Sequence, residues 1–143
     1  MADDSRSVVL RPACPDDAGA IAELQALSPE AAQWRSEDYL DYSTTVAESG
    51  SRVAGFIVVR EVASDEFEVL NIAVHPEFRG RGIGSALFEE AASGREGQWF
   101  LEVRASNGRA IFFYEKHGFN RAGIRPNYYR VPAEDAVVMR KGS

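Results

Sequence analysis

The apolar positions of this chain change their period several times along its length. Val8, Val9 and Leu10 form a short run closed by Pro12, which predicts a first strand over residues 7–12. In "CPDDAGAIAELQALS", residues 14–28, Ile21, Leu24 and Leu27 recur every three positions, the signature of one helical face. Pro15 suits the first turn of that helix, and Asp16 and Asp17 suit the positive end of its dipole. Residues 29–42, "PEAAQWRSEDYLDY", predict a second, shorter helical region. Strands are then expected over 44–49, 52–63 and 66–74, with turns at Gly50-Ser51 and Ser64-Asp65. The second of these, "RVAGFIVVREVA", is rich in β-branched residues, and it reads as an antiparallel pair with the third.

Helical spacing returns at 82–94, where Ile83, Ala86, Leu87 and Ala91 mark one face and Gly94 suits the end. A strand over 98–105 follows, then a helix over 107–118, capped by Asn107 or Ser106 and ended by Gly118. Two last strands, 119–125 and 135–141, are expected on either side of the loop "PNYYRVPAE". The predicted order is β-α-α-β-β-β-α-β-α-β-β, one mixed α/β domain over residues 1–143 with no repeat and no linker.

A chain of 143 residues buries roughly two-thirds of its unfolded surface, enough for a core without covalent staples. The charge is acidic, 22 Asp and Glu against 16 Lys and Arg. That balance argues against a nucleic-acid partner, which favours a basic excess. Cys14 is the lone cysteine, so no internal disulfide and no thiolate metal cluster can form. The start "MADDSRSVVLRPA" lacks a basic segment followed by an apolar run, and no apolar stretch has the length of a membrane span. A cytoplasmic monomer with no membrane association is the expectation.

Against that acidic background, "NIAVHPEFRGRGIGSALFEEA", residues 71–91, sets two arginines among three glycines at the mouth of a helix. A helix N-terminus presents unpaired N–H groups and about half a positive charge. Glycines let that backbone approach a ligand closely. With Arg79 and Arg81 added, the stretch suits a phosphate or pyrophosphate. The spacing is neither that of a P-loop, since no Gly-Lys-Ser/Thr follows, nor the dinucleotide fingerprint, which would need glycine at Ser85. Read without context, the same string is equally a glycine-rich turn with solvated arginines.

"R-G-R-G-I-G" between a strand and a helix resembles the acetyl-CoA pyrophosphate loop of the GNAT (Gcn5-related) N-acetyltransferases. "LNIAVHPEFRGRGIGSALFEE", "LEVRASNGRAIFFYEKHGF" and "IRPNYYRVPAEDAVVMRK" resemble, in order, the bacterial ribosomal-protein-alanine N-acetyltransferases. Those enzymes acetylate the N-terminal alanine of small-subunit ribosomal protein eighteen. The resemblance covers residues 66 to 141. In the first 65 residues only the element order matches. Trp34-Arg35-Ser36 falls where the family often has Pro-Trp-Ser, with Gln33 in place of the proline, a departure that bears on the acceptor rather than on the cofactor.

The resemblance implies the GNAT fold: a mixed, mostly antiparallel sheet of about six to seven strands, helices on both faces, split between the fourth and fifth strands. It implies acetyl-CoA as cosubstrate and a ribosomal-protein N-terminal peptide as acceptor, with direct attack in a ternary complex and no metal. The backbones of Ile72, Ala73 and Val74 would pair with the pantetheine arm. Arg79, Gly80, Arg81, Gly82, Ile83 and Gly84 would wrap the pyrophosphate, and Asn107 would hydrogen-bond the cofactor. Glu102 would be the general base and Tyr114 the general acid.

The chemistry can be weighed on the residues themselves. Acyl transfer from a thioester to an amine needs a base for an α-ammonium of pKa about 7.7–8.0. It also needs an N–H donor for the oxyanion, which the Ile72–Val74 strand offers, and an acid for the leaving thiolate. Glu102 interrupts the apolar strand "WFLEV", where partial burial would favour its protonated form, but simple alternation also puts it on a solvent face. Tyr114 shares a helix face with Ala110 and Ile111, which by itself suits a core tyrosine. Cys14 reads as a small inert thiol, His75 as a loop residue and His117 as a cation at a helix C-terminus. Tyr128 and Tyr129 suit either the core or an acceptor-peptide site. The rival functions are a GNAT enzyme acting on a small amine or a lysine side chain, and a non-catalytic acyl-CoA sensor.

Overall fold

The computed structural model describes residues 8–27 and 36–142. Trp34 and Arg35, with the expected second helix up to that point, lie outside the described residues. Seven strands form one sheet: β1 (Val8–Pro12), β2 (Ser43–Ser49), β3 (Arg52–Ala63), β4 (Glu66–Val74), β5 (Gln98–Arg104), β6 (Asn120–Arg130) and β7 (Ala133–Lys141). Their spatial order is β1-β2-β3-β4-β5-β7-β6. All pairs are antiparallel except β4 with β5. The helices are α1 (Ala18–Ala26), α2 (Ile83–Ala92) and α3 (Gly108–Lys116), with 3-10 turns at Pro15–Asp17, Ser36–Asp41 and Pro76–Phe78.

Period-two alternation in β3 decides the layers. Phe56 and Val58 pack with Ile21 and Leu24 of α1 and with Tyr39, whereas Ile57 and Val59 pack with Leu87 and Phe88 of α2. Helices therefore cover both faces, as expected. Each fully buried side chain of this size contributes about 1.5–3 kcal/mol through area removed from water.

The N-terminal segment is tied to the sheet by polar contacts. Tyr39 donates its hydroxyl to Gln25 Oε1 at 2.6 Å and receives Asn71 Nδ2 at 3.0 Å, which links α1, the 3-10 turn and β4 in a buried network. The expected dipole role of Asp17 gives way to a different one. Asp17 accepts Arg11 Nη1 and Nη2 at 2.9 and 3.0 Å and the Cys14 amide at 2.8 Å. The guanidinium holds its carboxyl down at about 2.

The expected loop from Pro126 onward is instead strand. β6 continues to Arg130, and its pairing jumps from Arg125–Ala136 to Tyr129–Glu134. The bulge absorbs Pro126 and Asn127, the latter in a left-handed conformation with its N–H on Asp135 Oδ1 at 2.8 Å. Only β7 neighbours β6, and an edge strand tolerates a proline. The short connection that remains is Val131-Pro132.

Candidate active site

The parallel pairing of β4 and β5 is short. It joins Glu66 to Gln98, Phe67 to Trp99 and Glu68 to Phe100, and goes no further. Beyond it the strands part, and β4 keeps a strand partner on the β3 side alone. A bulge opposite Val58 and Val59 turns β4 at the same level. Asn71, just past it, accepts the Ile72 N–H on its own Oδ1 at 2.9 Å. Of the N–H groups expected to face a ligand on this strand, that of Ile72 is thus already bonded.

A groove of about 630 Å³ opens on one side of the split. Its walls include Ile72, Ala73, Val74, Arg79, Gly80, Gly82, Ile83, Gly84 and Asn107 from the predicted set. Gly80 and Gly82 adopt φ of +80° and +78°, which glycine reaches without strain and which delivers the chain into α2. The first intrahelical bond runs from Ala86 N to Gly82 O, so the amides of Ile83, Gly84 and Ser85 lie ahead of it. Gly84 is a point of close approach: a Cβ there would stand 3.2 Å from Phe113 Cε1 on α3. These features make an anion cradle at the N-terminus of a ten-residue helix.

Arg81 borders the groove only through Phe78, which lines it. Its guanidinium sits 5.3 Å from the centre of the Phe78 ring, with Arg52 on the same ring at 5.1 Å, and it is not part of the groove wall. Asn107 caps α3, accepting the Ala110 amide on Oδ1 at 3.1 Å, and lies on the wall that the groove shares with a second cavity. Periodicity singled out neither Arg109 nor Phe113 nor Lys116, yet all three line the groove from α3.

The second cavity, of about 50 Å³, occupies the split itself. It brings Glu102 and Tyr114 together with Arg104 and Tyr129 among apolar walls from β4 and β5. Tyr114 is 5% exposed, and burial pushes its hydroxyl well above the ordinary phenol value, with Tyr129 adding to the shift. The hydroxyl therefore stays protonated through any working pH and remains a donor. Burial also raises Tyr129, to about 12, and Tyr128 more modestly.

Glu102 is not set in a purely apolar surround. Arg125 of β6 reaches across β7 and donates Nη1 to Glu102 Oε2 at 2.6 Å. The register places this contact: Glu102 pairs with Val138, and Arg125 with Ala136 on the other side of β7. Glu68 is a second carboxylate that sequence reasoning passed over. It is 8% exposed and bonded to Arg60, and burial raises its proton affinity, with Arg60 opposing and Glu102 reinforcing the rise. Its only signal in the sequence is a charge inside the apolar run "FEVL".

The remaining candidates stand apart. Cys14 is exposed beside Pro15, and His75 accepts the Glu77 amide on Nδ1 at 3.1 Å. His117 lies between α2 and α3, 2.9 Å from Ser85 Oγ, and burial lowers its pKa. It thus favours the neutral ring, contrary to the cationic role expected at the helix end. Among the described residues no three His, Cys, Asp or Glu side chains cluster as metal ligands. Nor is any helix long and apolar enough to cross a membrane.

Residues 41–121 match the family model described as an acetyltransferase (GNAT) domain. The chain is 41% identical over 111 residues to the [ribosomal protein bS18]-alanine N-acetyltransferase of Salmonella typhimurium, covering 73% of this chain and 72% of that one. It is 40% identical over 101 residues to the N-alpha-acetyltransferase RimI of Mycobacterium tuberculosis, covering 68% of this chain and 64% of that relative. The crystal structure of the ribosomal-protein-S18-alanine N-acetyltransferase from Escherichia coli superposes with a TM-score of 0.77 at 30% identity, covering 94% and 92% of the two chains.

Proposed function

From the premise that the chain belongs to the GNAT acetyltransferase family, we propose that it moves the acetyl group of acetyl-CoA to the N-terminal alanine of small-subunit ribosomal protein eighteen. The observation that carries this reading is the union of two cavities. A long groove ends in a helix-mouth anion cradle, and its shared wall at Ile72, Asn107 and Ala110 leads to a small chamber holding a carboxylate and a buried phenol.

In this reading the pyrophosphate lies on the amides at the start of α2, with Arg79 adding charge. The pantetheine arm runs along β4 where β5 has departed, completing the sheet edge as an added strand does. The thioester carbonyl then reaches the split. The acceptor α-amine gives a proton to Glu102 and attacks the carbonyl carbon, and a C–N bond forms. The tetrahedral oxyanion is held by N–H donors of β4. As the C–S bond breaks, the sulfur carries the electron pair away and takes the Tyr114 proton; the proton gained by Glu102 is given up to solvent and Tyr114 is reprotonated from it, so the net change is one acetyl moved and one thiol released. Arg125 holds the Glu102 carboxylate in place beside the chamber.

The acceptor assignment is supported by relatives that carry this activity in their names and match 73% of the chain. The test is steady-state release of CoA thiol with an alanine-initiated peptide and acetyl-CoA both varied. Intersecting reciprocal plots with the peptide, and little turnover with a polyamine or an α-blocked lysine peptide, support the reading. Parallel plots would refute direct attack, and preference for the polyamine or lysine would refute the acceptor.

A further inference from the structure

Arg104 makes more directed contacts than any role in the scheme above requires. Its Nη2 donates to Val131 O at 2.9 Å, and its Nη1 to Pro132 O at 3.0 Å and to Glu134 Oε1 at 3.3 Å. Glu134 in turn accepts the Ser106 amide at 2.5 Å, which anchors the same turn to the segment after β5. The guanidinium carbon also lies over the Tyr129 ring, 4.3 Å from its centre. Tyr129 stands edge-on to Tyr128 at 5.1 Å, Arg125 covers Tyr128 at 4.5 Å, and Arg125 holds Glu102 at 2.6 Å.

Glu102 and Arg104 are two residues apart on β5, so these contacts form a closed ring of side chains, of which Glu102, Arg104 and Tyr129 line the small cavity. One half of the ring is β5, paired with β7 from Trp99 to Arg104. The other half is the bulged end of β6, an exposed edge strand that has only β7 beside it. Without the clamp, the bulge and turn would rest on few buried contacts, the condition under which a segment opens locally.

We propose that Arg104 is a positioning residue: by clamping the β6–β7 turn and stacking on Tyr129 it fixes the acceptor-side wall of the split, and through Tyr128 and Arg125 it holds the Glu102 carboxylate toward the amine. It is absent from the wall of the cosubstrate groove, and it borders the small chamber with its guanidinium turned to the β6–β7 turn rather than bonded to Glu102 or Tyr114. Lysine cannot substitute, because a point-like ammonium lacks the planar fork that serves two carbonyls, a carboxylate and a ring at once. The proposal rests on the acceptor reading of the split given above.

The test compares wild type with Arg104→Lys, and with Glu134→Gln, which removes one arm of the clamp and spares the carbonyl contacts. In Arg104→Lys the KM for an alanine-initiated peptide is expected to rise about tenfold, and that for acetyl-CoA to stay within about twofold. Glu134→Gln is expected to change the peptide KM in the same direction by a smaller factor. Hydrogen exchange at the amides of Asn127, Tyr128, Tyr129 and Arg130 is expected to quicken in Arg104→Lys while that of β3 stays unchanged. In Arg104→Ala, added guanidinium is expected to restore the peptide KM and methylammonium is not.

A merely structural arginine would lower thermal stability with kcat and both KM values unmoved, which would overturn the proposal. Unchanged exchange at the four β6 amides would overturn it as well. If wild type acetylates no peptide, the acceptor reading fails on that control alone, and the exchange comparison still decides whether Arg104 clamps the turn.

Discussion

Asp17 offers a stability prediction whose size follows from the structure. Its carboxylate is 5% exposed and takes both terminal nitrogens of Arg11, and its pKa falls from 3.8 to about 2. At about 1.4 kcal/mol per pH unit, that gap is worth about 2.5 kcal/mol of folding free energy. Asp17→Asn keeps the shape and discards the charge, so it should lose about this amount at pH 7, and about 5–10 °C in Tm. The sign is fixed by the direction of the shift. A carboxyl depressed on folding contributes fully above its unfolded value of 3.8 and loses that contribution as pH falls through about 2. The stability gap between wild type and Asp17→Asn should therefore be flat from pH 7 to about 5 and fall to about half by pH 3. Urea unfolding followed by circular dichroism at pH 7, 5 and 3 measures it. A gap below about 0.5 kcal/mol at pH 7, or one that does not shrink by pH 3, would refute the reasoning.

Three further outcomes are expected. Tyr114→Phe should fold with unchanged Tm and lose about a hundredfold or more in kcat, since it removes the donor and little else; kcat within twofold of wild type would remove Tyr114 from the mechanism. Gly84→Val puts a branched side chain where Phe113 Cε1 would be 3.2 Å from its Cβ, and should raise the KM for acetyl-CoA about tenfold while the peptide KM holds; isothermal titration with CoA gives an independent reading, and unchanged affinity would show the groove is not the cofactor site. His117 is lowered from 6.5 by burial, so folding favours its neutral form. Its contribution is complete above pH 6.5 and is lost as pH falls through the lower folded value. His117→Gln should therefore flatten the decline of Tm below pH 6.5, and a decline as steep as that of wild type would contradict this.

Much of this architecture was legible because its signals are local. The β-branched run in "RVAGFIVVREVA" and the apolar helical faces of α1 and α2 depend on neighbours in sequence, and the structure places those elements where these signals do. The helix-mouth glycines were equally readable, since left-handed φ at Gly80 and Gly82 is a backbone need that glycine answers. What was not legible depends on register across strands. Arg125 lies 23 positions from Glu102 and meets it only because β7 lies between their strands. Pro126 reads as a loop residue until the sheet order shows β6 to be an edge. Asp17 reads as a dipole charge until Arg11 of β1 is seen beside it. The clamp of Arg104 on Val131 and Pro132 is likewise a contact between segments that no spacing rule connects.

The most direct test of the central claim is to incubate the protein with acetyl-CoA and a short peptide copying the alanine-initiated start of ribosomal protein eighteen, including a lysine, and to locate the acetyl group by fragmentation mass spectrometry. One acetyl group on the α-nitrogen of the alanine and none on the lysine is the expected result. Acetylation of the lysine alone, or no product from a protein shown to bind acetyl-CoA, would contradict it.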